Sequence, residues 1–277
     1  LERLRNKLSR QEVIPREIRL IEDRYKAGKI EKEKYNTFIE ASKKELEECN
    51  NEISKISTCL QLFSEGDGNN MEVVSLELGI HYRTEVNIVT PDRERYAFSV
   101  LSAGYKRLFY IALDLAYRSF LLSNGTSTDI TGVAIIDEID LHLHPELEQT
   151  VLERLTKTFT HIQFVVSTHS PLVLTDIDTV TGRNKVMRMT PACDAPEECR
   201  NIYGIDYNQM LEEIMGVRKR KPEIQELFDK AWDEVAEKNT EAAKAIVDKL
   251  EAKKTPADQI ELIQLRAIIN RIEIIGK

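Results

Sequence analysis

The chain has 277 residues, 47 acidic against 39 basic, a net charge of −8 and few aromatics. That is enough for one sizeable core with appended helical pieces, and the acidic balance excludes recruitment of nucleic acid by a global positive field. No apolar run is long enough to cross a bilayer, and nothing at the start reads as a signal peptide. The four cysteines form no zinc pattern: Cys193 and Cys199 are close, but no second Cys or His pair stands at ligand spacing. Reduced thiols in a cytoplasmic protein are the expectation. The chain opens on Leu1 rather than Met, as expected of a piece of something longer.

Residues 1–63 are charged and almost free of glycine. Apolar residues recur there at helical spacing, first Ile18, Leu20, Ile21 and Tyr25, then Tyr35, Phe38, Ile39, Leu46, Ile53 and Ile56. Gly28 can end one helix in a left-handed cap, and a second can start near Glu31. The pattern predicts a helical hairpin or coiled arm, interrupted or kinked at Pro15, with its charges on a solvated face. Residues 64–70 are a turn-rich break. Alternation from Val73 to Ile80 and the run Val86 to Val89 predict strands, and Ser102 to Leu122 predicts a long apolar helix.

Val133 to Ile136 is a short apolar run, as in a strand buried on both faces of a parallel sheet. An amphipathic helix follows from Glu146 to about Phe159, then a second buried strand over Phe164-Val165-Val166-Ser167. Strand, helix, strand predicts an α/β fold with a mostly parallel sheet. A further strand is expected over 183–189, a loop over 191–200, and a short helix over 207–215. Beyond Pro222, three helices separated by Asn239-Thr240 and Thr255-Pro256 predict a small antiparallel stack. The organisation expected is a helical arm (1–63), an α/β lobe (64–217) and a helical tail (218–277).

Three segments carry chemistry. In Ile135-Ile136-Asp137-Glu138-Ile139-Asp140-Leu141-His142-Leu143-His144-Pro145, two carboxylates emerge at the carboxyl end of a parallel strand, where ligands bind. Asp137 can hold Mg²⁺ through water, and Glu138 can orient or deprotonate an attacking water. Some thirty residues later Val165-Val166-Ser167-Thr168-His169-Ser170-Pro171 ends a strand in a polar turn bearing a histidine. Upstream lies Leu101-Ser102-Ala103-Gly104-Tyr105-Lys106-Arg107. Ser102 is placed to cap the next helix, whose N-terminus favours anions. Gly104 leaves room for a phosphate near the backbone, and Lys106 and Arg107 add positive charge.

DEIDLHLHP with VVSTHSP resembles the Walker B, D-loop and switch-histidine set of ABC-type ATPase heads of the OLD-like branch. LSAGYKR resembles their signature motif. The run from Tyr203-Gly204-Ile205-Asp206-Tyr207 to Ile214-Met215-Gly216-Val217 is similar to the narrower group of PtuA-like ATPases of the Septu antiphage system. The resemblance implies the second lobe of an ABC-type ATPase, dimerising around ATP and Mg²⁺. His169 would sense the γ-phosphate and His144 would take the place of the D-loop aspartate. Ser102, Ala103, Gly104 and Lys106 would bind the nucleotide of a second protomer. Ile139 departs from the proline common after the catalytic glutamate.

No GxxxxGK[ST] occurs in the 277 residues. By the resemblance, a lobe carrying that loop would precede the arm, which would belong to the insertion between lobes; this chain alone is expected to be inactive. The resemblance further implies a homodimer or higher homo-oligomer of heads, with a separate HNH nuclease as partner. Asp176-Ile177-Asp178 follows the histidine turn too closely to be a nuclease site of its own. Arg218, Lys219, Arg220 and Lys221 form the one dense basic cluster. It reads equally as solvated surface or as a phosphate contact to nucleic acid. The alternatives are a Rad50- or RecF-like DNA-repair ATPase and a non-catalytic scaffold.

Overall fold

The computed structural model describes residues 1–65, 72–80, 84–175, 177–189, 195–200, 202, 204–217, 220–253 and 260–275. The turn-rich break at 66–70, Asp176, the loop start at 191–194, Tyr203, Arg218, Lys219 and the Thr255-Pro256 break lie outside them. Two compact units result, Leu1–Ile177 and Asp178–Lys277.

The first unit opens with the helical hairpin, α1 (Glu2–Lys26) and α2 (Lys32–Ser64). Gly28 has φ +68. Its N–H donates to the Tyr25 carbonyl, and Lys29 N–H reaches back to Arg24, which is the Schellman closure that glycine permits. Tyr25 and Tyr35 stack across the tip with ring centroids 4.2 Å apart. The interruption expected at Pro15 does not occur, because α1 runs through it. A proline deletes one backbone bond, which is offset along a 25-residue helix whose Leu4, Leu8 and Ile14 are buried. Nor are the arm's charges merely solvated. Arg3 and Lys7 converge on Glu52, which is buried, and Arg10 pairs with Glu45.

A three-stranded antiparallel meander follows: β1 (Ser75–Ile80), β2 (Thr84–Val89) and β3 (Arg95–Ala97). Its register sets Leu76 opposite Ile88 and Leu78 opposite Val86. Period-2 alternation puts these four on the core face. They pack with Ile53, Ile56, Leu60 and Phe63 of α2 and with Leu108, Phe109, Ala112 and Leu113 of α3 (Ala103–Leu122).

β4 (Gly132–Ile136) and β5 (Ile162–Val166) then pair in parallel, with α4 (Pro145–Thr158) between them in the chain. Ile136, Ile162, Phe164 and Val166 pack on the core. The opposite face is uncovered: Val133 is 63% exposed, Ile135 80% and Val165 49%. The expectation of strands buried on both faces therefore holds for one face only. The apolar run is present, but no element described in the first unit lies over its outer half.

In the second unit β6 (Val186–Arg188) meets the expected strand. It pairs antiparallel with β7 (Glu197–Cys199), inside a stretch expected to be loop. Asp206 caps the short helix α5 (Tyr207–Gln209), which continues as a π-type turn over Met210–Ile214. The tail forms α6 (Pro222–Ala236), α7 (Thr240–Ala252) and α8 (Ile260–Ile275). They share a core of Phe228, Ala231, Val247, Leu250, Leu262 and Leu265.

Candidate functional site

The site forms where β4 and β5 end side by side. Asp137 follows the last residue of β4, and Ser167 follows the last residue of β5. Ser167 N–H continues the ladder onto the Ile136 carbonyl, and Ile139 N–H donates to the Ser167 carbonyl. The Ser167 hydroxyl donates a hydrogen bond to Asp137 Oδ1 and accepts one from Glu138 N–H at 2.8 Å. Asp137 and Glu138 are both exposed. Their carboxylates thus stand at the carboxyl edge of a parallel sheet, held from the neighbouring strand.

Glu138 has φ +49 and His142 φ +65, left-handed conformations that L side chains adopt only when the surroundings hold them. At Glu138 the hold comes from three sides. Ser167 takes its N–H, while Leu141 N–H and Arg107 Nη2 both reach its carbonyl, the latter at 2.6 Å. Arg107 also touches the Asp137 carbonyl at 3.2 Å.

The histidine turn is fixed by Asp140. Its Oδ1 accepts from the Thr168 hydroxyl at 2.5 Å and from His169 N–H at 3.2 Å. Ser170 Oγ donates to Glu148 of α4, and Ser170 caps the turn of 3₁₀ helix over Pro171–Leu174. The His169 ring is left exposed. Asp137, Glu138 and His169 are therefore brought to one edge.

Ser102 caps α3 through its side chain, which accepts from Tyr105 N–H, leaving Ser102 and Ala103 exposed at the helix start. Lys106 is half-buried in the first turn, its N–H donating to the Ser102 carbonyl. The space at Gly104 is already filled from within the chain. A Cβ there would stand 2.8 Å from the His142 carbonyl oxygen. Glycine at 104 therefore has a packing reason: it lets the loop after Glu138 lie against α3. His144 is the N-cap of α4 without a side-chain cap. Its ring is exposed, 3.9 Å from Glu146.

The hydroxyls of Ser167 and Thr168 and the carboxylate of Asp140 were not singled out from the sequence, and the guanidinium of Arg107 was read only as added charge at the helix start. For the first three the signal was present, as polar residues directly after buried runs. For Arg107 no local pattern distinguishes it from a surface cation.

Of the basic cluster only Arg220 and Lys221 lie among the described residues, and Arg220 is not a free cation. Arg220 is mostly buried in unit 2, paired with Glu261 and stacked 4.0 Å over the Phe228 ring. Its charge is spent inside the helical tail, where Trp232 Nε1 also donates to Glu261. Lys221 is the N-cap residue of α6.

Among the described residues no group of three or more His, Cys, Asp or Glu side chains could hold a metal by itself. The donor set fits Mg²⁺ bound with a nucleotide: Mg²⁺ takes one or two carboxylates, and phosphates and waters complete its octahedron. Asp137 has a second carboxylate oxygen beyond the one that accepts from Ser167. Among the described residues no helix is long and apolar enough to cross a membrane.

The chain is 32% identical over 209 residues to the Retron Ec83 probable ATPase of Escherichia coli, covering 74% of this chain and 34% of that protein. Over 79 residues it is 47% identical to the Retron Vc95 probable ATPase of Vibrio cholerae, covering 28% of this chain and 15% of that one. Over 135 residues it is 29% identical to the Septu protein PtuA of Bacillus mycoides, covering 48% and 18%. The chain thus spans about a third, or less, of these relatives. A family model described as "AAA domain, putative AbiEii toxin, Type IV TA system" matches residues 3–175, the hairpin through the histidine turn, and the chain belongs to that ATPase-domain family.

Proposed function

We propose that this chain supplies the signature, Walker B and switch-histidine face of a Mg–ATP-hydrolysing head that dimerises around nucleotide. On this reading it controls a DNA-directed effector in cytoplasmic antiviral defence, with an HNH nuclease as partner. The observation that carries the reading is the edge where Asp137, Glu138 and His169 meet, tied by Arg107 to the helix that Ser102 caps. Asp137 would hold Mg²⁺ through water, and the ion would neutralise charge on the phosphates. Glu138 would orient the attacking water and take its proton. His169 would meet the γ-phosphate. Ser102, Ala103 and Lys106 would complete a partner's site, with Gly104 contributing its backbone N–H rather than open space, since unpaired N–H groups at the start of α3 favour an anion.

The uncovered face of Val133, Ile135 and Val165 gives the reading a second support. It runs directly to Asp137, and we place there the lobe bearing the phosphate-binding loop. These 277 residues should then hydrolyse no ATP alone, and the complete protein should. Steady turnover by the purified 277-residue chain would refute that division. Purification of the complete protein tests the partner: an HNH protein is expected with it, and an SMC-type nuclease in its place would favour the DNA-repair alternative.

A further inference from the structure

Arg107 lies five residues past the capping Ser102 and faces the other half of the site. Its Nη2 donates to the carbonyl oxygens of both Asp137 and Glu138. Its Nε is buried and makes no hydrogen bond among the described residues. The two carbonyls bracket the residue held at φ +49. Of the three groups that hold Glu138, Ser167 comes from the end of β5 and Leu141 from the same turn. Only Arg107 comes from α3. That helix also meets the loop after Glu138 at Gly104, against the His142 carbonyl. A shift of α3 would therefore be felt at Glu138 through a charged donor as well as through packing, and hydrogen bonds from a charged group are the stronger kind.

We propose that Arg107 is a positioning residue that aims the Glu138 carboxylate from the signature helix. The helix that engages a partner subunit's nucleotide would thereby govern hydrolysis at its own subunit's site. This rests on the roles given to Glu138 and Ser102 under the proposed function. Arg107 touches neither phosphate nor water in this account. It acts by fixing the backbone from which the carboxylate projects, and misplacement by about 1 Å can cost a hundredfold in rate.

In the complete protein, Arg107→Met should lower kcat about tenfold to a hundredfold. The KM for ATP and the ATP-dependent dimer should be unchanged, because binding groups are untouched. Arg107→Lys should recover part of the loss, since a lysine keeps the charge but not the fork of donors. Subunit mixing then separates the two sites. Paired with Ser102→Arg, the Arg107→Met subunit leaves one site whole if Arg107 serves its own Glu138, and turnover returns. Paired with Glu138→Gln it damages both sites, and turnover stays low. If Arg107 instead worked as part of the signature, these outcomes would exchange. That exchange overturns the proposal, as does a raised KM with unchanged kcat in Arg107→Met. Mixing Ser102→Arg with Glu138→Gln is the control. Its failure to regain turnover would count against independent paired sites, leaving the kcat and KM of Arg107→Met to decide the positioning role.

Discussion

The two sheets of the first unit differ most on the faces they turn away from the core. In β1–β2–β3 the outer side carries an ion pair between Glu77 and Arg95 and a hydrogen bond from Ser99 to Glu85. In β4–β5 it carries Val133, Ile135 and Val165. Antiparallel strands joined by tight turns can leave one polar face in water, whereas parallel strands are normally covered on both faces. The first sheet thus has a polar outer face. The second carries the sequence of a covered sheet without its cover, and its open face leads to the acidic pair. Exposed apolar patches mark interaction surfaces, which is why we propose that the phosphate-binding lobe covers this one.

The largest effect is expected at the tip of the open sheet. Glu138→Gln in the complete protein should reduce turnover about 10²–10⁴-fold, the range for loss of a general base. ATP affinity should be kept, because the amide still accepts a hydrogen bond and no longer repels the γ-phosphate. Turnover measured beside nucleotide binding decides: unchanged turnover removes Glu138 from the chemistry, and lost binding indicates damage to the fold.

The contrast between the sheets can be broken directly with one isoleucine from each. Ile88 is fully buried in the first sheet, and Ile135 is the most exposed large apolar residue of the second. In the 277-residue chain, Ile88→Ala should cost about 2–5 kcal/mol as a core truncation. Ile135→Ala should stay within about 0.5 kcal/mol, as a surface change does. Urea denaturation of both variants gives the comparison. Ile135→Asp should be equally harmless in this chain yet disrupt the complete protein, where the face is proposed to be covered. Equal losses at Ile88 and Ile135 in the short chain would remove the basis for an open face.

A smaller effect separates two reasons for glycine at 104. The sequence suggested space for a phosphate, while the structure fills that space with the His142 carbonyl. Gly104→Ala should then destabilise the nucleotide-free chain by about 1–3 kcal/mol, the usual cost of overpacking. A shift in melting temperature without ATP checks it. A variant of unchanged stability that fails only in nucleotide-dependent dimerisation would restore the phosphate reading.

What the sequence made legible was local. Gly28 announced the hairpin turn, Ser102 the cap of α3, and the two apolar runs the paired strands. The polar turns after those runs announced the site, because strand ends in a parallel sheet are where side chains gather. What it hid was long-range. Arg220 read as part of a basic patch because its partner Glu261 stands 41 residues away on α8. Glu52 read as one more solvated acid until α1 brought Arg3 and Lys7 to it. Arg107 and the Glu138 carbonyl are 31 residues apart. The face of β4 could not be read either, since an apolar run records what a strand is made to meet and not whether the cover lies in the same chain.

The last prediction concerns the other end of the open sheet. Below β4 the Asp129 carboxylate accepts from Thr160 N–H and hydroxyl, both at 2.9 Å, and from His161 N–H, with His161 Nδ1 also 2.9 Å away. Gly132 N–H donates to the His161 carbonyl just above. Asp129 therefore clamps the start of β5 to the approach to β4, as Ser167 clamps their far ends. Burial pushes the Asp129 carboxyl up, but the hydrogen bonds from His161 and Thr160 outweigh it and hold the group below its ordinary value. A carboxylate with a depressed pKa stabilises the fold above its unfolded pKa of about 3.9, and that stability is lost as pH falls through the lower folded value. Asp129→Asn keeps the shape but loses the charge and one acceptor, so at about pH 7 it should cost about 1 kcal/mol. The gap between the parent and Asp129→Asn should narrow below about pH 4, as the parent's own carboxylate takes up a proton. Chemical denaturation of both chains between about pH 7 and pH 3 reads it out. A gap that stays constant over that range would mean that Asp129 holds the strands by shape alone, and that charge has no part in closing the lower end of the open sheet.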